Sequence, residues 1–531
     1  MRLKVLLVVI LSLFAVSAYA QFKASIQGTV QDSKAGVVAG AKVTVTNEST
    51  GAMRETTTSD QGFYRVNELA PGTYTVTVEA SGFKQTVSKN IVVDAEQARG
   101  YDVILDIGAV SDVVTVSASA EGLQTENAST TNTISSQEIL ALPQFGRDPY
   151  ELIRLTPGVF GDAARQGNGN SFALPQQVGP GGSNNQIFQV ENQVPVVANG
   201  QRVTANTYSL DGVSINSLSN GGAAVITPNQ ESVQEIVVTS ASFNAEQGRN
   251  SGAQVEVISR GGTNSFHGSA LIKFNDKGLN AFNKFYGPNN VTLHSITCEG
   301  GAFTIVASHC PTRNDQKYRD FGGSLGGPIV HDKLFFFFSY EGIRQTDSQT
   351  KRDVKLETPA FRQYVIQVNP NSLAAKIFNM PGIAPRISTT TKETDCCSLV
   401  TNPSDPNFRQ LGQWYLPGNT PKMGQAVGNG PDGIPDWGIY DLRIPNSSKG
   451  NQFNGRVDYN RGKNQFFFSS YYVTLNNLNG GNRPIEDVAF LPHNYVASIG
   501  WTRTISSLLV NEARFNVTRF AFNQLQPTGN T

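Results

Sequence analysis

Zinc-dependent hydrolysis is the first chemistry that the residue types of this chain could support, because histidine and glutamate at fixed spacing bind catalytic zinc. The histidines of the 531-residue sequence are His267, His294, His309, His331 and His493. None of them has a glutamate three residues later, and the H-E-x-x-H motif does not occur. We therefore predict no catalytic residues, no metal site, no cofactor and no enzymatic activity.

The four cysteines could instead form disulfides. Cys298 and Cys310 lie close together in one predicted loop, and an oxidising compartment would favour a disulfide between them. Two histidines lie beside this pair, so a zinc site is the weaker alternative. The adjacent Cys396 and Cys397 lie in a second predicted loop, and their pairing stays open.

The N-terminus indicates that the chain is exported. Arg2 and Lys4 precede an apolar run at Val5–Val16, and Ala18–Ala20 has the small-x-small pattern of a cleavage site. These features are typical of a secretory signal peptide, so we predict that residues 1–20 are removed. No later stretch is apolar for long enough to form a transmembrane helix.

Composition limits the partners of the chain. Lysine and arginine together number 42, as do aspartate and glutamate, so the net charge is zero. A nucleic-acid partner would require a basic surface, and we therefore predict none. The 51 glycines and 30 phenylalanines favour many short strands joined by glycine turns.

Phenylalanine-rich runs with alternating polarity dominate the second half of the chain. One run is Lys333–Tyr340, and a neighbouring pair is Phe453–Tyr459 and Gln465–Tyr472. Such strands suit a sheet with lipid outside and a polar lumen inside, so we predict an outer-membrane barrel; a half-buried soluble sheet is the alternative. The residues predicted to face lipid are Phe453, Val457, Tyr459, Phe515 and Val517. Those predicted to face the lumen are Arg456, Asp458, Arg514 and Asn516.

The order of strands and connections also indicates a barrel. The predicted strands lie near residues 266–275, 317–328, 333–344, 451–460, 464–475, 494–504 and 508–520. The connections alternate between short turns, at 330–332, 461–463 and 505–507, and long segments, at 276–316, 345–450 and 476–493. This alternation is typical of outer-membrane barrels. Seven strands leave an open edge, which is costly in hydrocarbon, so we expect residues 265–531 to be the incomplete, N-terminal part of a larger barrel.

Short alternating runs separated by turns fill residues 22–106. Ser25–Val30 and Ala41–Thr46 read as strands, while Asp60–Tyr64 and Leu69–Val76 combine turn and strand signals. Through these motifs the region resembles the carboxypeptidase regulatory-like domain, a transthyretin- or starch-binding-like β-sandwich. The resemblance implies an accessory domain rather than a peptidase, with carbohydrate binding as an analogy of fold.

A second set of motifs follows between residues 131 and 264. They include Leu155–Val159, Tyr208–Val213 and Glu231–Val238, and a further motif lies downstream at Phe321–Pro328. The first three resemble the plug of TonB-dependent receptors, and the last resembles the barrel of Oar-like TonB-dependent transporters. The resemblance implies a mainly β chain in which an α+β plug at 131–264 sits inside the barrel.

The linker at residues 107–130 contains an alternating apolar segment. In the family that the chain resembles, this position holds a Ton box, an extended segment that pairs with an edge strand of the energy-coupling protein TonB. A last strand of the sandwich, or a connecting strand, is the alternative. The candidate Ton-box residues are Asp112, Val113, Val114, Thr115, Val116 and Ser117.

Charged plug residues are expected to meet charged residues of the barrel wall. We predict that some of Glu246, Arg249 and Arg260 pair with Arg456 or Asp458. Solvation in a wide, wet lumen is the alternative, because exposed pairs contribute little to stability.

The resemblance implies a TonB-dependent transporter in a Gram-negative outer membrane. Its sandwich would be periplasmic and its long loops extracellular. The implied partners are the TonB complex, outer-membrane lipid and an extracellular substrate, either a carbohydrate or another large nutrient. A surface adhesion or secretion-related barrel is the alternative, favoured by the long segment 345–450 and by the additional sandwich.

Overall fold

The computed structural model shows three connected units: a β-sandwich, a small α/β domain called the plug below, and a large antiparallel sheet called the barrel sheet. The described residues are 24–108, 113–117, 129–142, 146–161, 187–188, 191–192, 194, 196–218, 221–241, 251–279, 315–394, 437–506, 509–521 and 523–525. The predicted signal peptide and all four cysteines lie outside these ranges. No helix within them is long and apolar enough to cross a membrane.

The sandwich forms because alternate residues of its strands are apolar and point into one core. Its strands are β1 (Ala24–Asp32), β2 (Lys42–Asn47), β3 (Met53–Thr57), β4 (Phe63–Leu69), β5 (Gly72–Glu79), β6 (Gln85–Val93), β7 (Ala98–Gly100), β8 (Val103–Leu105) and β9 (Val113–Ser117). One sheet has the order β4-β1-β7, with β8 also paired to β1; the other has the order β3-β2-β5-β6-β9. In β5, Tyr74, Val76 and Val78 are buried between half-exposed residues. The predicted sandwich is confirmed.

The plug is built on a five-stranded sheet. The strands of the whole plug are β10 (Thr130–Ser135), β11 (Val159–Gly161), β12 (Val196–Ala198), β13 (Thr207–Leu210), β14 (Val213–Ser214), β15 (Val233–Ala241) and β16 (Gln254–Ser259), and the described α-helix is α1 (Ser136–Ala141). The sheet order is β10-β15-β16-β13-β14, and β11 pairs with β12. Helix α1 begins with a capping box, in which Ser135 and Glu138 each accept a hydrogen bond from the other's backbone N–H.

Among the described residues, the barrel sheet contains seven long strands paired in chain order, which confirms the predicted series. The strands of this region are β17 (His267–Asp276), β18 (Asp315–Val330), β19 (Leu334–Glu357), β20 (Ile387–Thr394), β21 (Trp437–Arg461), β22 (Asn464–Asn479), β23 (Val488–Phe490), β24 (His493–Ser506), β25 (Leu509–Arg519) and β26 (Gln524–Leu525). The antiparallel row runs β17-β18-β19-β21-β22-β24-β25. Tight turns join β18 to β19 and β21 to β22.

The predicted lengths of the third and fourth barrel strands were wrong. The prediction ended one strand at residue 344 and began the next at residue 451, whereas β19 continues to Glu357 and β21 begins at Trp437. The two extensions pair along their length and carry α2 (Pro359–Val368) and α3 (Leu373–Phe378) at their outer end, with β20 alongside. The extension of β19 is dominated by polar residues from Gln345 to Asp353. The extension of β21 does alternate, with Tyr440, Leu442 and Ile444 buried, but the turn-like sequence Pro445–Gly450 separates it from the rest of the strand.

Side-chain exposure follows the predicted faces along β21. Phe453 and Val457 are 40% and 37% exposed on the outer face, while Arg456 is buried on the inner face. On β25, the last strand of the row, the Arg514 side chain is 5% exposed and Phe515 is 67% exposed, as predicted. Asn516 and Val517 are both exposed, although Asn516 accepts a hydrogen bond from Ser498 of the inner face. The plug covers the inner face of the central strands, because buried residues of both units form one apolar core.

Candidate functional site at the plug and barrel interface

The hairpin between β13 and β14 presents a buried carboxylate to the barrel sheet. Asp211 and Gly212 both have positive φ, and Leu210 pairs with Val213, so the hairpin has the two-residue turn that Asp-Gly sequences favour. The Asp211 carboxylate is 1% exposed and accepts hydrogen bonds from the Ser259 N–H at 2.9 Å and the Ser259 hydroxyl at 2.7 Å. The turn therefore holds an anion in a fixed position.

Arg456 of β21 supplies the matching cation. Its Nη1 lies 3.4 Å from Asp211 Oδ1 and donates to Ser259 Oγ at 2.8 Å. Its Nη2 donates to Asp458 Oδ1 at 2.9 Å, and its guanidinium carbon lies 5.5 Å from the centre of the Phe467 ring. Several partners thus offset the cost of burying this charge. The guanidinium joins the plug hairpin to the barrel wall.

A second charged cluster surrounds Arg147, a plug residue with positive φ. Arg147 Nη2 lies 3.2 Å from Glu231 Oε1 in the plug, and its Nε lies 3.3 Å from Glu341 Oε1 on β19. Ser269 of β17 donates to the second Glu231 oxygen at 2.7 Å. All three charged side chains are at most 11% exposed. Two separate ionic contacts therefore hold the plug to the barrel sheet.

Buried amide side chains of the barrel sheet strengthen this attachment. Gln452 Nε2 donates to the Thr227 carbonyl at 2.7 Å, and Asn494 Nδ2 donates to the Val225 carbonyl at 2.8 Å. Both side chains face inward and are almost fully buried. They satisfy plug backbone carbonyls that would otherwise be costly to bury.

The pairing predicted from sequence differs from the arrangement around Arg456. Arg456 and Asp458 do meet, but the plug residue that joins them is Asp211, which the sequence reasoning did not select. The Asp-Gly hairpin signal could have found it. Arg260 is half-buried at the end of β16. Glu246 and Arg249 lie outside the described residues, and their pairing stays a prediction.

The described part of the candidate Ton box is the edge strand of a sandwich sheet. Strand β9 runs parallel to β6 through five residue pairs. Val113 is 56% exposed and Val116 is 43% exposed. Within the described ranges β6 is the strand paired with β9, so β9 presents its other edge outward. This placement matches the alternative prediction of a last sandwich strand, and the role as a Ton box stays a prediction. Asp112 lies outside the described residues.

One hydrolase-like spacing was overlooked in the sequence. Gly322–Gly326 has the G-x-S-x-G spacing of a nucleophile elbow, with Ser324 at its centre. A nucleophile elbow requires a sharp turn from a strand into a helix. Ser324 instead lies in the middle of β18, paired on both sides, and its hydroxyl is 2.9 Å from that of Ser269. The spacing therefore arises from a barrel strand.

Metal binding has no further support in the part of the chain that the structure describes, where no group of three or more His, Cys, Asp or Glu side chains could hold an ion. Cys298 and Cys310 lie outside those residues, so the predicted disulfide stays a prediction.

A plug held against the inner face of a sheet of long antiparallel strands defines the class as an outer-membrane β-barrel protein. The profile of the outer membrane beta barrel domain matches residues 258–531, more than half of the chain, and that of the carboxypeptidase regulatory-like domain matches residues 25–106. The chain therefore belongs to the outer membrane beta barrel domain family. It is similar to the TonB-dependent transporter Oar of Myxococcus xanthus, with 30% identity over 332 residues, 62% of this chain and 27% of that protein. This confirms the predicted Oar-like resemblance.

The chain thus spans about a quarter of the length of the curated relative that it matches. Among solved structures, it aligns with the outer membrane transporter YddB of Escherichia coli at a TM-score of 0.38 and 10% identity, covering 73% of this chain and 38% of that one. It also aligns with the siderophore receptor PirA of Acinetobacter baumannii at a TM-score of 0.31 and 12% identity, covering 74% and 45%. These relatives are transporters and receptors, not enzymes.

Proposed function

We propose that this chain forms the sandwich, the plug and the first barrel strands of a TonB-dependent transporter that imports an extracellular nutrient. The observation that carries the proposal is the buried ion pair between Asp211 of the plug and Arg456 of the barrel sheet, 3.4 Å apart. Such a pair is costly to break when one partner is left buried alone. A plug fixed in this way keeps the barrel closed until energy is supplied.

The energy for opening would come from the inner membrane, because the outer membrane maintains no proton gradient. TonB would deliver it by adding a strand to the outward edge of β9, a form of recognition that uses backbone hydrogen bonds. The outer face of the barrel sheet, with Phe453 and Val457 exposed, would contact lipid. The outer domain around α2 and α3 would face the medium and capture a carbohydrate or another large nutrient.

A surface adhesin is the second candidate, and the outer domain is what favours it. Leu373 and Met380 are 75% and 47% exposed there, so apolar side chains are available for contact with another surface. An adhesin has no need of TonB. The two candidates therefore differ in whether the protein is coupled to the inner membrane.

The decisive experiment is cross-linking of the full-length protein to TonB in cells. Cysteines placed singly at residues 107–125 should cross-link to TonB, and an uncoupler that removes the proton gradient should change the yield. Absence of a cross-link at every position would favour the adhesin. Val114→Pro and Thr115→Pro form a matched pair of variants, because successive residues of a strand point their N–H groups to opposite edges. The variant that removes a donor from the outward edge should reduce cross-linking more strongly.

A further inference from the structure

The sandwich rests against the end of the plug and barrel sheet where the short turns lie. The Asn264 N–H donates to the Ser49 carbonyl at 2.9 Å, and the Ala95 N–H donates to Glu235 Oε1 of β15 at 2.6 Å. Ala95 is fully buried in an apolar contact with Val237 and Ile258 of the plug. The sandwich therefore covers part of the plug surface that a TonB-driven movement would have to expose.

Two ionisable side chains, Arg54 and Glu68, lie at this contact, and Arg54 Nη1 donates to the Gly462 carbonyl in the turn between β21 and β22 at 3.5 Å. Nε and Nη2 of Arg54 are shielded from solvent and have no hydrogen-bond partner in the described part of the chain. Arg54 and Glu68 both line a cavity of about 200 Å³ between the three units, and no ion pair joins them in the described structure. Unsatisfied buried donors and charges oppose burial. Separation of the sandwich would expose these two Arg54 donors to water, which lowers the free-energy cost of breaking the contact.

The ionised form of Glu68 also destabilises the contact between the sandwich and the plug. The pKa of Glu68 is raised to about 7, chiefly by burial; the Glu512 and Glu96 carboxylates contribute to the rise, and Arg514 and Arg54 act against it. A carboxyl whose pKa is raised in the docked state takes up a proton on docking. Docking is then strongest at acidic pH and weakens as the pH rises towards 7.

We propose that the sandwich is a releasable lid over the short-turn end of the plug, and that β9 is the strand through which the lid is pulled away. The inference rests on the proposed function, because it requires TonB to engage β9. It goes further by making the sandwich, rather than the plug, the first part to move. Five residue pairs join β9 to β6, and a force applied along β9 is shared by the hydrogen bonds of all five pairs. The contact between the sandwich and the plug and barrel sheet is made of separate single hydrogen bonds, such as Asn264–Ser49, Ala95–Glu235 and Gln97–Thr133, rather than a continuous ladder, so we expect it to yield first.

Thiol labelling of a docked residue tests the lid in the full-length protein in cells. In Ala95→Cys the new thiol lies under the docked sandwich. In the matched control Ala41→Cys it lies in the sandwich core, and both native alanines are fully buried. Maleimide labelling of each peptide is quantified by mass spectrometry, with and without an uncoupler. We expect labelling at residue 95 to rise several-fold in energised cells, while residue 41 stays protected.

Each outcome bears on the lid separately from the proposed function. If TonB cross-links to residues 107–125 but residue 95 stays protected, the lid is refuted and TonB coupling stands. Labelling of residue 41 together with residue 95 would mean that the sandwich unfolds, which also refutes a lid that moves as one piece. Absence of both cross-link and labelling would remove the proposed function, and the lid with it.

A disulfide staple and a pH series give two further readouts. Val87 and Thr115 are paired in the β6–β9 register, so a disulfide in Val87→Cys/Thr115→Cys would join the two strands covalently. In energised cells this variant should still show labelling at residue 95. Loss of that labelling would mean that β9 separates from the sandwich by itself. In purified Ala95→Cys protein, labelling relative to the denatured protein at each pH should fall about tenfold from pH 7.5 to pH 5.5. Glu68→Gln should remove that dependence, and an unchanged slope would exclude Glu68 as its origin.

Discussion

Replacing Arg456 by methionine should loosen the plug more than any comparable change on β21. The substitution keeps most of the side-chain volume but leaves Asp211, 1% exposed, without its cation. Removing one partner of a buried ion pair costs about 3–5 kcal/mol. Asp211 keeps its two hydrogen bonds from Ser259, so we expect the lower limit, about 3 kcal/mol, or roughly a hundredfold increase in plug opening.

The assay uses a reporter inside the plug. Ala253 is fully buried in the plug core, so thiol labelling of Ala253→Cys against urea concentration measures the free energy of plug opening. The control is Arg461→Met, at the exposed end of the same strand, with an expected effect below about 0.5 kcal/mol. Asp211→Asn in the Arg456→Met background should recover part of the loss. Equal effects of Arg456→Met and Arg461→Met would show that the ion pair does not hold the plug.

Three further predictions concern lipid contact, pH and processing. Val457→Arg should cost about 2–4 kcal/mol of barrel stability at mid-membrane, and Asn516→Ser, on the lumen side, much less; equal folding yields would refute the facing. Burial acts to raise the pKa of Asp487, but the hydrogen bonds from Arg386 outweigh it and the pKa falls below its usual value. Protease resistance of the outer domain should therefore drop as the pH falls below about 4, and Asp487→Asn should abolish this drop. N-terminal sequencing of membrane-extracted protein should show cleavage after Ala20; an intact initiator methionine would contradict export.

The barrel strands could be predicted from the sequence because lipid imposes a periodicity on them. Phe453 and Val457 repeat on one face of β21, and the bilayer permits few polar groups there. Alternate phenylalanines of β19 instead face inward, where Phe335 and Phe337 are buried. A run with both faces apolar indicates that a strand exists but does not say what covers its inner face. That cover is the plug.

The charged site could not be predicted in the same way, because its members come from distant parts of the chain. Asp211 and Arg456 are 245 residues apart, and no local period relates them. Arg147 has positive φ, which few non-glycine residues adopt and which sequence alone rarely reveals. The outer part of β19 was missed because polar residues dominate it, and the outer part of β21 was missed because Pro445–Gly450 has the composition of a turn.

The length of the β19–β21 hairpin determines how far the barrel sheet extends beyond the apolar band of the membrane. Strand β19 has 24 residues, and at about 3.3 Å per residue it is about 80 Å long. With a tilt of about 40°, roughly 60 Å of that length lies along the membrane normal, while the apolar band is only about 25 Å tall. The remaining height, about 35 Å, therefore extends beyond the apolar band. Glu357 at the outer end of β19 accepts two hydrogen bonds from Arg483, at 2.7 and 2.6 Å. These bonds hold the outer part of the hairpin in a fixed position.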